Sequence, residues 1–165
     1  LAAELGHITV DPRGPLCSCG QRGHLEAVAS GPAIVRYVKK RIAAGSKSFL
    51  SGEADITARE VAAAARQGDD ISREALTNAG GYLGHAMADY LHIFNPSILI
   101  FGGGVSRSGP PLFEPMKSVM KESVMDSAYL VDLKITTSRL GDNAGLLGAL
   151  AHANMRLGVD EQGKE

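Results

Sequence analysis

Four residues able to ligate a metal crowd the start of this 165-residue sequence: His7, Cys17, Cys19 and His24, at successive spacings of ten, two and five. Zinc takes four tetrahedral nitrogen and sulfur ligands, and a tight glycine-bearing loop lets them converge. Cys17 and Cys19 are the chain's 2 cysteines. A disulfide between them would close a very small ring of poor geometry. Spacing therefore leaves two readings, a zinc site or two unrelated buried thiols in a turn with His24 exposed. Two carboxylates flank the set, Glu4 before His7 and Glu26 just after His24. Carboxylates accept hydrogen bonds from sugar hydroxyls, and a ligating imidazole can donate through its other nitrogen. This makes a candidate polyol site. The plainer alternatives are a solvated surface acid for Glu4 and helix-dipole complementarity for Glu26.

A second cluster is Gly102-Gly103-Gly104, directly after the apolar run Ile98-Leu99-Ile100-Phe101. Without Cβ atoms, a flat ligand or a phosphate can approach the main chain and meet its N–H groups. No Gly-Lys-Ser/Thr follows, and the spacing is not G-x-G-x-x-G. A tight turn between strand and loop explains the three glycines equally well.

The elements that must position these groups follow from periodicity and punctuation. Residues 8–10 read as a strand end and 11–15 as a Pro/Gly turn. Residues 25–29 suit a short helix with Glu26 in its first turn. Pro32 opens a second helix to about residue 44, with Ile34, Val35, Val38 and Ile42 on one face. The Ser/Gly-rich stretch 45–55 reads as a mobile connection. Thr57 and Glu60 form a capping box for a helix through Arg66. A longer helix runs from Asp70 to about Phe94, with Ala75, Leu76, Ala79, Leu83, Ala86 and Tyr90 at helical spacing. Gly80, Gly81 and Gly84 within it cost roughly 1 kcal/mol each relative to Ala, so close packing against the backbone is expected there. A buried strand at 98–101, a helix over 111–124, a strand over 131–136 and a helix over 144–157, capped by Asp142 and Asn143, complete an α/β pattern. His85, His92 and His152 fall on helices without partners at ligand spacing and read as structural.

Composition narrows the function. With 17 basic against 18 acidic residues and a formal net charge of −1, nothing favours nucleic acid or a membrane surface as a direct partner. No apolar run reaches the ~20 residues of a membrane span. Hydrophobic content of 44% supports a folded core rather than disorder. The reading is a cytoplasmic domain over residues 1–158, with a polar tail at 159–165. A first residue other than Met, with a motif four residues in, suggests a piece of something longer.

Taken together, Glu4-Leu5-Gly6-His7, Cys17-Ser18-Cys19-Gly20-Gln21-Arg22-Gly23-His24-Leu25-Glu26, Asn95-Pro96, Gly102-Gly103-Gly104-Val105 and Gly141-Asp142-Asn143-Ala144-Gly145-Leu146-Leu147-Gly148-Ala149 resemble the ROK family of bacterial sugar kinases and sugar-responsive repressors. That family's pattern runs E-x-G-H, then C-x-C-G-x-x-G-C-x-E. The resemblance implies an actin-like, RNase-H-type α/β fold, with this chain as its C-terminal half. It implies sugar contacts from Glu4, His7 and Glu26, and structural zinc on His7, Cys17 and Cys19. Gly102, Gly103 and Gly104 become candidates for the ATP site, and the 144–157 helix is expected to pack under that lobe. Two positions depart from the pattern. His24 stands where the family has Cys, which leaves two thiolates to neutralise Zn²⁺ instead of three. Ala3 replaces the Gly usual before this Glu and is expected to tighten a strand end.

The family's phosphate-binding D-x-G-x-T element and its catalytic Asp, in an N-D-x-N context, do not occur in these 165 residues. That Asp draws the proton from the attacking sugar hydroxyl. This chain alone is therefore expected to be inactive. The resemblance implies the C-terminal lobe of an ATP- and Mg²⁺-dependent kinase of hexoses or N-acetylhexosamines, commonly a homodimer. The alternatives are the effector-sensing lobe of a ROK repressor and a non-catalytic zinc-binding dimerisation module.

Overall fold

The computed structural model describes residues 3–158, apart from the Asp142 side chain; the tail expected at 159–165 lies outside the described residues. Among the described residues, six α-helices and a two-stranded sheet follow one another in chain order. They are α1 (Leu25–Ala29), α2 (Gly31–Ala43), α3 (Ala58–Gln67), α4 (Asp70–Phe94), β1 (Ile98–Phe101), α5 (Pro110–Ser123), β2 (Lys134–Thr137) and α6 (Ala144–Leu157), with short 3-10 turns between some of them. No helix among the described residues is long and apolar enough to cross a membrane.

The helix α4 is the hub, packed by α5, α3, α1 and α2. Its N-cap Asp69 is buried and accepts from the N–H groups of Ser72 at 2.7 Å and Phe49 at 2.5 Å. Burial pushes the Asp69 carboxyl up, but hydrogen bonding, led by those two backbone donors and joined by serine side chains, outweighs it and holds the group below its ordinary value. The same bond from Phe49 pins the 45–55 connection, and Leu50 next to it is buried. Ahead of α3, Thr57 and Glu60 form the expected reciprocal capping box.

Glycine explains why α5 lies so close to α4. A Cβ at Gly80 would sit 2.5 Å from the Leu112 carbonyl oxygen, and one at Gly84 2.6 Å from that of Met116. Only a residue without a side chain permits this approach. The expectation fails at Gly81, where a Cβ would meet nothing within 4 Å. Gly81 is turned about 100° around α4 from Gly80, clear of the close contact with α5 and into an open cleft.

The strands pair in parallel, Ile98 with Lys134 through Phe101 with Thr137, and α5 supplies the crossover such a pair needs. Four expectations are corrected here. First, β1 is not buried on both faces: Leu99 and Phe101 pack on the core, while Ile98 and Ile100 face outward, Ile100 being 62% exposed. A two-stranded sheet has one covered face, and an apolar run does not reveal that. Second, β2 starts at Lys134 rather than 131, because a 3-10 turn at Ser127–Leu130 and a left-handed Asp132 (φ 61°) interrupt the extended run. Third, residues 8–10 form no strand but a single antiparallel bridge, Thr9 to His24. The N–H groups of Val10 and Asp11 both donate to the Gly23 carbonyl, which ends the ladder. Fourth, α6 begins in a 3-10 turn, and Asn143 is itself helical with no side-chain cap. No residue of α6 is buried among the described residues.

Candidate functional site

The loop before α1 is folded by its own backbone. Val10 N–H donates to Gly23 O at 2.8 Å, Gly23 N–H to Pro15 O at 2.9 Å, Cys17 N–H to Gln21 O at 2.7 Å and Leu25 N–H to Ile8 O at 3.0 Å. Gly23, at φ 70°, has the Asp11 carbonyl oxygen 1.5 Å from where a Cβ would be. Any other residue there would open the loop. Two tyrosines of α4 then moor it to the hub: Tyr90 Oη–H donates to Leu5 O at 2.6 Å, and Tyr82 Oη–H to Asp11 Oδ2 at 3.2 Å.

This folding draws His7, Cys17, Cys19 and His24 together, with one donor atom of each within 4.8 Å of the others. His7 Nδ1 lies 3.3 Å from His24 Nδ1 and 3.7 Å from Cys17 Sγ, and Cys19 Sγ lies 3.2 Å from His24 Nδ1. A tetrahedral zinc, with about 2.0–2.1 Å to nitrogen and ~2.3 Å to sulfur, sets its ligand atoms roughly 3.3–3.8 Å apart. The donor set and its spacing fit such an ion. The Cys17 thiol is drawn down to about 6, most of all by the Cys19 backbone N–H; burial opposes this, and the His24 ring and the Cys19 and Ser18 side chains reinforce it. A thiol so poised presents the thiolate that a metal needs. His24 is buried, not exposed, so the reading of two unrelated thiols loses its geometry.

His7 works in two directions. Its Nδ1 faces the sulfur and the second imidazole, while its Nε2 lies 3.5 Å from Glu26 Oε2. Glu26 sits exposed in the first turn of α1, with Ser18 Oγ 3.4 Å from its other oxygen. Gly6 brings the backbone against Glu26, 3.8 Å from its Cβ to a built Cβ. Glu4 is placed differently. Its backbone carbonyl accepts from His7 N–H at 3.0 Å, but its carboxylate makes no hydrogen bond or ion pair among the described residues. Ala3 occupies the left-handed region at φ 61°, a conformation that favours glycine. The departure therefore loads the backbone rather than tightening a strand.

The Gly102–Gly104 turn follows β1 at the surface, with Gly103 at φ 80° and open space above Gly103 and Gly104. Ser106 Oγ–H donates to Gly103 O at 2.7 Å and holds the turn. A built Cβ at Gly31, which opens α2, would lie 3.5 Å from Val105 Cγ2, so the residue just after the turn packs on the start of α2. Beside it opens a cleft of about 560 Å³ lined by Ser106, Phe113, Lys117, Ile135 and Thr137 among others. Sequence reasoning missed these residues because they come from three elements that only folding assembles. A larger cleft, about 1160 Å³, is lined by none of Glu4, His7, Glu26 or the glycine turn. His85 and His92 are structural as expected: His85 Nδ1 lies 3.0 Å from Ser123 Oγ, and His92 Nε2 accepts from Met125 N–H at 3.1 Å.

A family model described as the ROK family matches residues 1–156. A glucokinase of Thermotoga maritima is 40% identical over 162 residues, covering 96% of this chain and 51% of the relative. A ROK family glucokinase from Streptomyces griseus, solved with glucose and AMPPNP, superposes with a TM-score of 0.81 at 34% identity, over 94% of this chain and 52% of that one. A ROK family transcriptional regulator, a homologue of the E. coli MLC protein, gives a TM-score of 0.81 at 37% identity, over 88% of this chain and 37% of that one. The α/β architecture is thus that of ROK structures, an actin-like ATPase fold. The chain spans about half the length of the curated relatives it matches.

Proposed function

The chain belongs to the ROK family, and from that premise we propose that it is the sugar- and adenosine-side lobe, the C-terminal one, of an ATP-dependent hexose kinase of the glucokinase type. The observation that carries this reading is the junction of two functions at His7. One ring nitrogen belongs to the four-donor cluster, and the other lies 3.5 Å from Glu26. A metal on the cluster would lock the imidazole and leave Nε2–H and the exposed Glu26 carboxylate to address neighbouring sugar hydroxyls. Glu4 joins them from the preceding turn, its carboxylate free to accept a hydroxyl.

Zinc on His7, Cys17, Cys19 and His24 supplies no chemistry here beyond fixing the loop. The open Gly102–Gly104 turn and the adjoining cleft take the adenosine side of ATP, whose phosphates with Mg²⁺ supply the group transferred. The phosphate-binding motif and the base are absent from these 165 residues. The chain alone therefore positions a sugar without phosphorylating it.

Metal analysis of protein purified without added zinc should find one zinc per chain, and Cys17→Ser should lose both the metal and the order of the loop. In a longer protein that carries D-x-G-x-T and the N-D-x-N Asp ahead of residue 1, Glu26→Ala should lower kcat/KM by about tenfold to a hundredfold. Wild-type efficiency in that variant removes Glu26 from the sugar site. A coupled assay showing turnover by the 165-residue chain overturns the division of labour. The likeness to the MLC-type regulator, as high in TM-score as that to the glucokinase, supports a second reading, the effector-sensing lobe of a repressor. Sugar binding without turnover, in a longer protein with a winged-helix segment upstream, identifies that case.

A further inference from the structure

The larger cleft, about 1160 Å³, takes no part in the proposed sugar and nucleotide sites, and its chemistry differs from theirs. Its floor is apolar, including Ala33 and Ile34 of α2, Ala75 of α4 and Val119 of α5. Its rim carries Arg13, Arg22, Arg36 and Lys40 against a single acid, Asp11. That acid is already engaged: Oδ1 accepts from Arg13 N–H at 3.1 Å and Oδ2 from Tyr82 Oη–H at 3.2 Å. None of the four cations makes an ion pair among the described residues. Arg36 is held in place by donating from Nη2 to Ala27 O at 3.0 Å, which leaves the rest of its planar fork facing outward. A chain of net charge −1 thus gathers four unneutralised cations around one concavity.

Gly81 supplies an independent observation. Gly80 and Gly84 are explained by the backbone of α5, but Gly81 lines this cleft, and a Cβ there would meet nothing within 4 Å. A glycine inside a helix costs about 1 kcal/mol relative to Ala. No neighbour among the described residues requires it, and its missing side chain leaves the cleft open at this point. We infer that this cleft is a binding site for a phosphorylated small molecule: the phosphate meets the arginines and Lys40, and the organic body lies on the apolar floor against α4 at Gly81. The concave shape and mixed lining suit a small ligand. A balanced overall charge argues against an extended polyanion. Arginine forks favour phosphate oxygens in bidentate geometry.

The test uses the 165-residue chain with glucose 6-phosphate and inorganic phosphate as probes, followed by amide chemical shifts at constant ionic strength. Saturable shifts centred on Gly81 and Arg36 are expected with glucose 6-phosphate, and weaker shifts at the same amides with phosphate alone. Arg36→Ala combined with Lys40→Ala should weaken binding by about tenfold or more. Gly81→Leu should leave the melting temperature unchanged or higher, since its side chain enters open space, yet abolish binding. Shifts confined to Gly6 and Glu26 would place the probe in the sugar site and overturn the inference while leaving the proposed function intact. Equal responses to sodium chloride also overturn it, as does a dimer that Gly81→Leu splits while phosphate has no effect. Conversely, an unsubstituted chain that binds neither sugar nor zinc but retains these shifts breaks the proposed function alone.

Discussion

Two parts of this molecule handle apolar surface in opposite ways. The helical part wraps α1, α2, α3 and α5 around α4 and buries Ile34, Leu76, Leu91, Leu112 and Met116 almost completely. The part built from β1, β2 and α6 leaves Ile98, Ile100, Leu146, Leu150 and Leu157 in the open. Their sequences are comparably apolar, so hydrophobicity does not separate them. What separates them is the number of neighbours: α4 is covered from several sides, whereas a two-stranded sheet and a terminal helix have little to cover them. Stability should therefore be concentrated in the first part, and the metal loop is fastened to that part by Tyr82 and Tyr90.

The comparison is most severely tested where α4 meets α5. Gly84→Val would drive carbon into the Met116 carbonyl and the Val119 side chain, 2.6 and 2.7 Å from the built Cβ. Urea unfolding should show a loss of about 3 kcal/mol. A loss below 1 kcal/mol would mean that the two helices slide apart freely and that the rigid hub is misjudged.

Asp69→Ala should come next, at about 2 kcal/mol, since it orphans the N–H groups of Ser72 and Phe49 together. The carboxyl is held below its ordinary value in the fold. Its contribution is therefore complete above the unfolded value and fades as pH falls through the lower folded one. Wild-type stability should drop across that acidic window, and the variant's curve should be flatter there. Parallel curves would assign the acid sensitivity to other carboxylates.

Ala3→Gly should stabilise the start of the loop by about 1 kcal/mol, because glycine adopts φ 61° without the Cβ penalty. Amide exchange at Leu5 and His7 would slow if this is right and stay unchanged if the turn carries no strain. The smallest effect belongs to the open part. Ile100→Thr, on the exposed face of β1, should change unfolding free energy by no more than about 0.5 kcal/mol while raising solubility. A large destabilisation would show that this face is covered in solution.

Local signals were legible in advance. The bounds of α4 and α6, the capping box of Thr57 and Glu60, and the turn at 11–15 rest on residues within a few positions of one another. The sequence also named the four donors, because their types and short spacings lie within a single loop. Other features depend on residues far apart in the chain, and only the tertiary structure decided them. Whether Ile98 and Ile100 were buried turned on how many strands joined β1. Gly80 and Gly84 met α5 and Gly81 did not, because helical rotation sends neighbouring residues to different faces and only the docking of α5 chooses among them. His7 could be named as a ligand from its spacing, but its double engagement, with the cluster on one side and Glu26 on the other, needed α1 folded back against the 3-10 turn at Leu5–His7. Helix caps and turns are short-range properties of the backbone, whereas burial, close approach and convergent geometry belong to packing.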